Sequence, residues 1–140
     1  MRPIARLALG LILVSLAAFS TVATFAFTED TIYLQCENTD RKGDMRFVAV
    51  TPPTKEASVF LETSGAWAGS HPLTVTSSHY MFDVGKDRSW TLMLDRVSLR
   101  LDELIKMPSH SFSNSSRCLI VEQGAAEKFA ENNPRPKPKI

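Results

Sequence analysis

Between Ser89 and Leu101 the chain reads SWTLMLDRVSLRL, and its apolar residues alternate: Trp90, Leu92 and Leu94, then Val97, Leu99 and Leu101. Alternation at period two belongs to a strand that buries one face. The buried parity changes from even to odd near Asp95-Arg96. One extra residue would do that, so a bulge or sharp bend is expected there, with the odd set, Val97 included, continuing the buried face. A two-residue hairpin is the competing reading. It ranks second because the glycine or asparagine that such turns favour is missing.

The rest of the body repeats the pattern in shorter pieces. Thr31–Glu37 alternates Ile32, Leu34 and Cys36, and Met45–Thr51 alternates Met45, Phe47 and Ala49 before Pro52-Pro53 ends the run. Ala57–Glu62, Leu73–Thr76, Tyr80–Val84 and Arg117–Glu122 are further strand candidates. Asn38–Asp44, Ser77–His79 and Gly85–Arg88 read as turns, and Pro108–Ser116 as a serine-rich loop. Asp102–Met107 fits either a helical turn or the exit of a strand. Many short strands separated by turn residues predict an all-β domain, a small antiparallel barrel or sandwich of about seven or eight strands.

Residues 1–26 stand apart from this body. Arg2 and Arg6 precede an apolar run from Leu7 to Phe19, and small residues follow in Thr21-Val22-Ala23 and Thr24-Phe25-Ala26. This is the layout of a secretory signal peptide with two possible cut sites, and it predicts a periplasmic or secreted protein. An uncleaved anchor is the alternative, since apolar character continues to Phe27, about 21 residues, enough to span a bilayer. The small residues favour cleavage. No cysteine ends the apolar run, which argues against a lipid-modified terminus. The expected organisation is then a leader over 1–26, a β-domain over 27–123 and a flexible proline- and lysine-rich tail over 124–140. Within the tail, Gly124–Asn132 has moderate helix propensity but only Phe129 as a large apolar residue.

The whole chain carries 16 basic and 15 acidic residues. The leader contains Arg2 and Arg6, and the tail contains Arg135, Lys137 and Lys139, so the body is acidic on balance. Nucleic acid as a partner is thereby excluded, because it demands a basic face. There is no polybasic patch for a membrane surface, so membrane contact is expected only if the N-terminal segment stays uncleaved.

The chain has two cysteines, Cys36 and Cys118, near the two ends of the body. In an oxidising compartment they predict a disulfide. It would close a loop of roughly 80 residues, worth about 4 to 5 kcal/mol as an upper bound. Neither cysteine has a metal-ligand partner at local spacing.

Little in the sequence points to catalysis. His71, His79 and His110 match no metal motif and read as turn or surface residues. No glycine-flanked nucleophile and no phosphate loop are present. Asp102 and Glu103 are neighbours on an extended chain and would point to opposite faces, so they are not placed to share a proton. Asp95-Arg96 reads as an ion pair or turn contact beside the sheet. Asn114-Ser115-Ser116 has the form of a glycosylation acceptor. Trp90 has core parity, and Trp67, between Gly65 and Gly69, is expected to fold under a turn as a plug. No metal and no cofactor are implied. The reading is a non-enzymatic binding protein with a protein partner in the cell envelope, or else an envelope structural protein held by its N-terminal segment.

Two resemblances bear on this. Cys36, Ser58-Val59-Phe60-Leu61, Trp67, Gly69, Pro72-Leu73-Thr74-Val75, Tyr80-Met81-Phe82, Leu92 through Ser98 and Cys118 follow an order that resembles a class of small exported bacterial proteins of unknown function. Those carry a late strand reading isoleucine, any residue, arginine, any residue, serine or threonine, glycine. Leu99 stands at the position of that glycine. Tyr33-Leu34-Gln35-Cys36 and Ser77-Ser78-His79-Tyr80 are similar to the opening strand and the serine-containing loop of periplasmic inhibitors of c-type lysozymes, which are small disulfide-bonded β-barrels. The second resemblance implies that Ser77 and Ser78 enter a partner's cleft and that Tyr80 braces them.

Thiol labelling without reductant should find no free thiol in the folded protein, and Cys118→Ser should lower the unfolding free energy by roughly 2 to 5 kcal/mol. Quantitative labelling of both cysteines before reduction would contradict the pairing.

Overall fold

The computed structural model describes residues 24–85 and 89–134. The apolar run of the leader, the middle of the Gly85–Arg88 turn and the tail beyond Pro134 lie outside those residues. Within them run β1 (Ile32–Asn38), β2 (Met45–Thr51), β3 (Glu56–Leu61), β4 (Ala66–Pro72), β5 (Thr74–Val75), β6 (His79–Val84), β7 (Trp90–Asp95), β8 (Arg100–Lys106), β9 (Ser111–Val121) and α1 (Ala125–Asn132).

Successive strands pair antiparallel, except that β4 and β5 share no ladder, and β9 returns to pair with β1. The result is one nine-stranded sheet rolled into a nearly closed up-and-down barrel. Its seam falls between β4 and β5, where the chain itself crosses the gap through Leu73. The Leu73 amide donates to the Lys55 carbonyl at 2.9 Å, tying the crossing to the β2–β3 turn.

Period-two alternation fills the interior. Leu34 and Cys36, Val48 and Val50, Ala57 and Val59, Tyr80 and Phe82, Leu92 and Leu94, Leu101 and Cys118 form one buried cluster with Leu73. The disulfide joins Cys36 to Cys118, which face each other directly across the β1–β9 ladder. It therefore staples the first strand to the last at the point where the meander closes on itself.

A second layer lies outside the barrel. Every residue of β2 from Phe47 to Thr51 is buried, so this strand is covered on both faces. The outer cover is α1. Phe129 packs on Phe47 with ring centroids 5.4 Å apart, and Phe60 lies 5.5 Å from Trp67. Ala125, Ala126 and Ala130 join the same cluster. One large side chain suffices to seat this helix because the alanines let its backbone approach the sheet. The N-terminal residues extend the layer, with Phe27 5.8 Å from Trp67 and 6.0 Å from Tyr33. Burial pushes the Tyr33 hydroxyl above its usual value of 10.0, and the Glu127 carboxylate adds to the rise.

Three sequence expectations change. The stretch from Ser89 to Leu101 is two strands, not one bent strand. Leu94 faces Leu101 across a hairpin, and a loop with an even number of residues switches parity as a bulge would. The Asp95 carboxylate supplies what a glycine or asparagine turn supplies elsewhere, accepting the amides of Val97 at 2.8 Å and Ser98 at 2.9 Å. Leu99 closes the loop with φ at 56°, a left-handed conformation that glycine adopts without strain. Val97, expected inside, is 89% exposed.

The serine-rich stretch is part of β9 and not a loop. Its inward residues, Asn114 and Ser116, face polar partners, so no apolar alternation announces it. Opposite Asn114 stands Glu103, 3% exposed and bound by Arg46 through Nε at 2.9 Å and Nη2 at 3.4 Å. Asn114, half-buried, lines a small cavity together with these two residues. Trp67, expected as a plug beneath a turn, instead sits in the outer aromatic layer.

Leu92→Ala should cost about 2 to 4 kcal/mol in a denaturant titration by opening a cavity. Val97→Ala should stay within about 0.5 kcal/mol. Equal losses at the two positions would restore the single-strand reading.

Candidate functional site

Two turns meet at one end of the barrel, the β5–β6 turn carrying Ser77 and Ser78 and the β7–β8 turn carrying Arg96 to Leu99. They adjoin because β6 and β7 are ladder neighbours, with His79 opposite Asp95. Thr76 organises the first turn. Its Oγ1 accepts the His79 amide at 2.9 Å, and its own amide donates to the His79 carbonyl at 2.9 Å. Arg96 clamps the two together. Its amide donates to the Ser78 carbonyl at 2.9 Å and its guanidinium to the Thr76 carbonyl at 2.6 Å. The same guanidinium lies 4.8 Å above the Tyr80 ring.

The residues singled out from sequence therefore divide. Ser77 and Ser78 are exposed, and the Ser77 hydroxyl has no partner among the described residues. Tyr80 is only 8% exposed and belongs to the core, so it supports the turn from below and offers no contact surface. Cys36 and Cys118 lie inside the barrel. Val97, beside the serine turn and expected inside, is exposed. The signal was present in the Asp95-x-x-Ser98 pattern, which an Asx turn explains without any glycine.

Ser78, His79 and Asp95 lie in a line. Ser78 Oγ is 2.7 Å from His79 Nδ1, and His79 Nε2 is 3.7 Å from Asp95 Oδ2. The second separation exceeds hydrogen-bond range. Asp95 Oδ1 is already held by two backbone amides, and Ser78 is open to solvent. These contacts shape the turn.

Elsewhere the two neighbouring carboxylates of β8 are paired, while Tyr33 Oη and Trp90 Nε1 are buried without a hydrogen-bond partner among the described residues. Asp102 and Glu103 point to opposite sides of β8. Asp102 accepts from Arg100 Nε at 3.0 Å and from Ser115 Oγ at 2.6 Å on the outside, while Glu103 faces Arg46 within. The Arg46 guanidinium also lies 4.8 Å above Trp90, which packs against the core with its Nε1 enclosed. His71 stacks on Phe82 near the seam and His110 meets Phe112 edge-on, so the three histidines lie apart. Among the described residues no cluster of three or more His, Cys, Asp or Glu could hold a metal ion, and no helix is long and apolar enough to cross a membrane. Comparison with family models, with curated proteins and with solved structures returned no match.

The two amides on Asp95, first that of Ser98 and then that of Val97, hold its carboxyl below the usual 3.8. A depressed folded value means that the turn draws stability from the ionised form. That contribution is complete above the ordinary carboxylate range and is lost as pH falls through the lowered value. A carboxyl-carbon NMR titration should place Asp95 below 3.8, and a value at or above it would contradict the Asx-turn geometry.

Proposed function

We propose that this chain is an exported, non-catalytic protein-binding module, and that its contact surface is the barrel end carrying Ser77, Ser78 and Val97. The observation that carries the reading is Val97. Its aliphatic side chain, 89% exposed, stands on a turn fixed by Asp95 and Arg96. A rigid, projecting pair of turns loses little entropy on entering a partner's cleft, which is how preorganised loops gain affinity. The apolar side chain of Val97 would act as an anchor, and the serine hydroxyls beside it would donate to acceptors on the partner. Export is supported by the basic and apolar pattern of the leader and by a disulfide, which suits an oxidising compartment.

The specific form of this reading is inhibition of a c-type lysozyme. Such a cleft is lined with carboxylates that would accept from Ser77 and Ser78, and the barrel with its one disulfide suits the resemblance drawn from the sequence. Lysozymes of several types should be assayed with the wild-type protein, a Ser77→Ala, Ser78→Ala double variant and Val97→Asp. The expected result is inhibition of a c-type enzyme at micromolar concentration, weakened at least about tenfold by Val97→Asp. Absence of inhibition by the wild type removes the lysozyme form. Inhibition that neither variant alters moves the contact surface elsewhere on the barrel.

A further inference from the structure

A neutral imidazole carries one N–H and one lone pair, so a histidine fixes what its hydrogen-bonding neighbours can do. At the barrel end His79 has a neighbour on each ring nitrogen. Its Nε2 lies 3.7 Å from Asp95 Oδ2, across the β6–β7 ladder. Its Nδ1 lies 2.7 Å from Ser78 Oγ. A carboxylate only accepts, and its charge draws the single proton of the neutral ring to Nε2. Nδ1 then keeps the lone pair, and Ser78 Oγ meets it by donating. Ser78 has one hydroxyl proton. While His79 is neutral that proton is directed into the turn, and Ser78 offers a partner lone pairs alone. Once His79 is protonated, both ring nitrogens donate. Ser78 Oγ becomes the acceptor, and its proton is free to point outward.

The charges around the ring support the protonated state. Asp95 faces it from β7, and the amides of Ser98 and Val97 hold that carboxylate ionised. Arg96, in the turn that follows, is the cation on this side, and its guanidinium is bonded to the Thr76 carbonyl at 2.6 Å and lies over the Tyr80 ring. β5 and its turn bring Thr76, Ser77 and Ser78, none of them charged. On β6 itself the next charged side chain is Asp83, bonded to Thr91. We propose that protonation of His79 converts Ser78 from a hydrogen-bond acceptor into a donor at the contact surface, so that a partner presenting carboxylates is held more tightly in mild acid than at neutral pH. This rests on the reading above, in which this barrel end is the contact surface. The Ser77 hydroxyl, with no partner among the described residues, donates in both states, so the switch is confined to Ser78. An imidazolium beside the surface acts on an anionic partner in the same direction.

Nitrogen NMR of the imidazole rings in the free protein reads the switch without a partner. The Nε2–H tautomer is expected for His79 at about pH 8, and Ser78→Ala should displace the Nδ1 resonance as the lone pair loses its donor. An Nδ1–H tautomer, or an Nδ1 resonance that Ser78→Ala leaves unmoved, overturns the inference whatever the protein binds. Calorimetry with a c-type lysozyme as the probe, at about pH 5.5 and about pH 7.5, then spans the range in which histidine changes charge. The wild type should bind about fivefold more tightly at the lower pH, the low end of coupling between two ligands. Ser77→Ala should weaken binding at both pH values and keep that ratio, while His79→Gln should bring the ratio close to one. A ratio that survives in His79→Gln overturns the inference and leaves the contact surface standing. Failure of the wild type to bind at either pH overturns the lysozyme reading, and the tautomer still decides the switch.

Discussion

Closure of the meander on itself is the constraint that the rest of the molecule depends on. Each strand after the first, β5 excepted, is held by its predecessor, but β1 and β9 lie at opposite ends of the chain, and their ladder must recover the entropy of closing the whole loop. The Cys36–Cys118 disulfide does this at one point by joining two residues already in register and separated by 82 positions. Once β9 lies against β1, both edges that a flat sheet would expose are satisfied there. The remaining discontinuity, between β4 and β5, is bridged by the chain.

Closure also decides where polar groups can go. A barrel of this size is filled by side chains, so an inward polar residue needs an inward partner. Arg46 and Glu103 provide it for each other, with Trp90 beneath the guanidinium. Outside, Phe129 of α1 packs on Phe47 and Phe27 packs on Trp67. At the end of the barrel that carries Ser77, Ser78 and Val97, Asp95 and Arg96 spend their hydrogen-bonding groups on backbone.

The alternation of Leu34 with Cys36, Val48 with Val50 and Leu92 with Leu94 was legible directly, since burial of one strand face imposes period two on the sequence. The pairing of the two cysteines was also legible, since a chain with two thiols has one disulfide to make. The serine-rich half of β9 was not legible. Its inward neighbours are Glu103 and its polar surroundings, so its alternation is polar on both sides. Nor was the turn after Asp95, where a side-chain carboxylate and a left-handed Leu99 replace the glycine that local rules expect. Of the candidate site, Ser77 and Ser78 were visible as turn residues, Tyr80 was seen but its burial was not, and Val97 was assigned to the wrong face.

What the residues determined unaided is the class of fold and its one covalent link: an all-β domain with one disulfide, and an adjacent Asp102-Glu103 pair that faces opposite ways. These follow from local periodicity and composition, which neighbours in space cannot alter. Packing decided the rest. Whether Phe27 joins the outer aromatic layer depends on Tyr33 and Trp67, residues brought together only when β1 and β4 occupy the same side of the barrel. Whether Val97 is buried or exposed depends on whether the chain bends or reverses after Asp95. Both outcomes are set by free energy shared across strands distant in sequence, and no window of adjacent residues contains it.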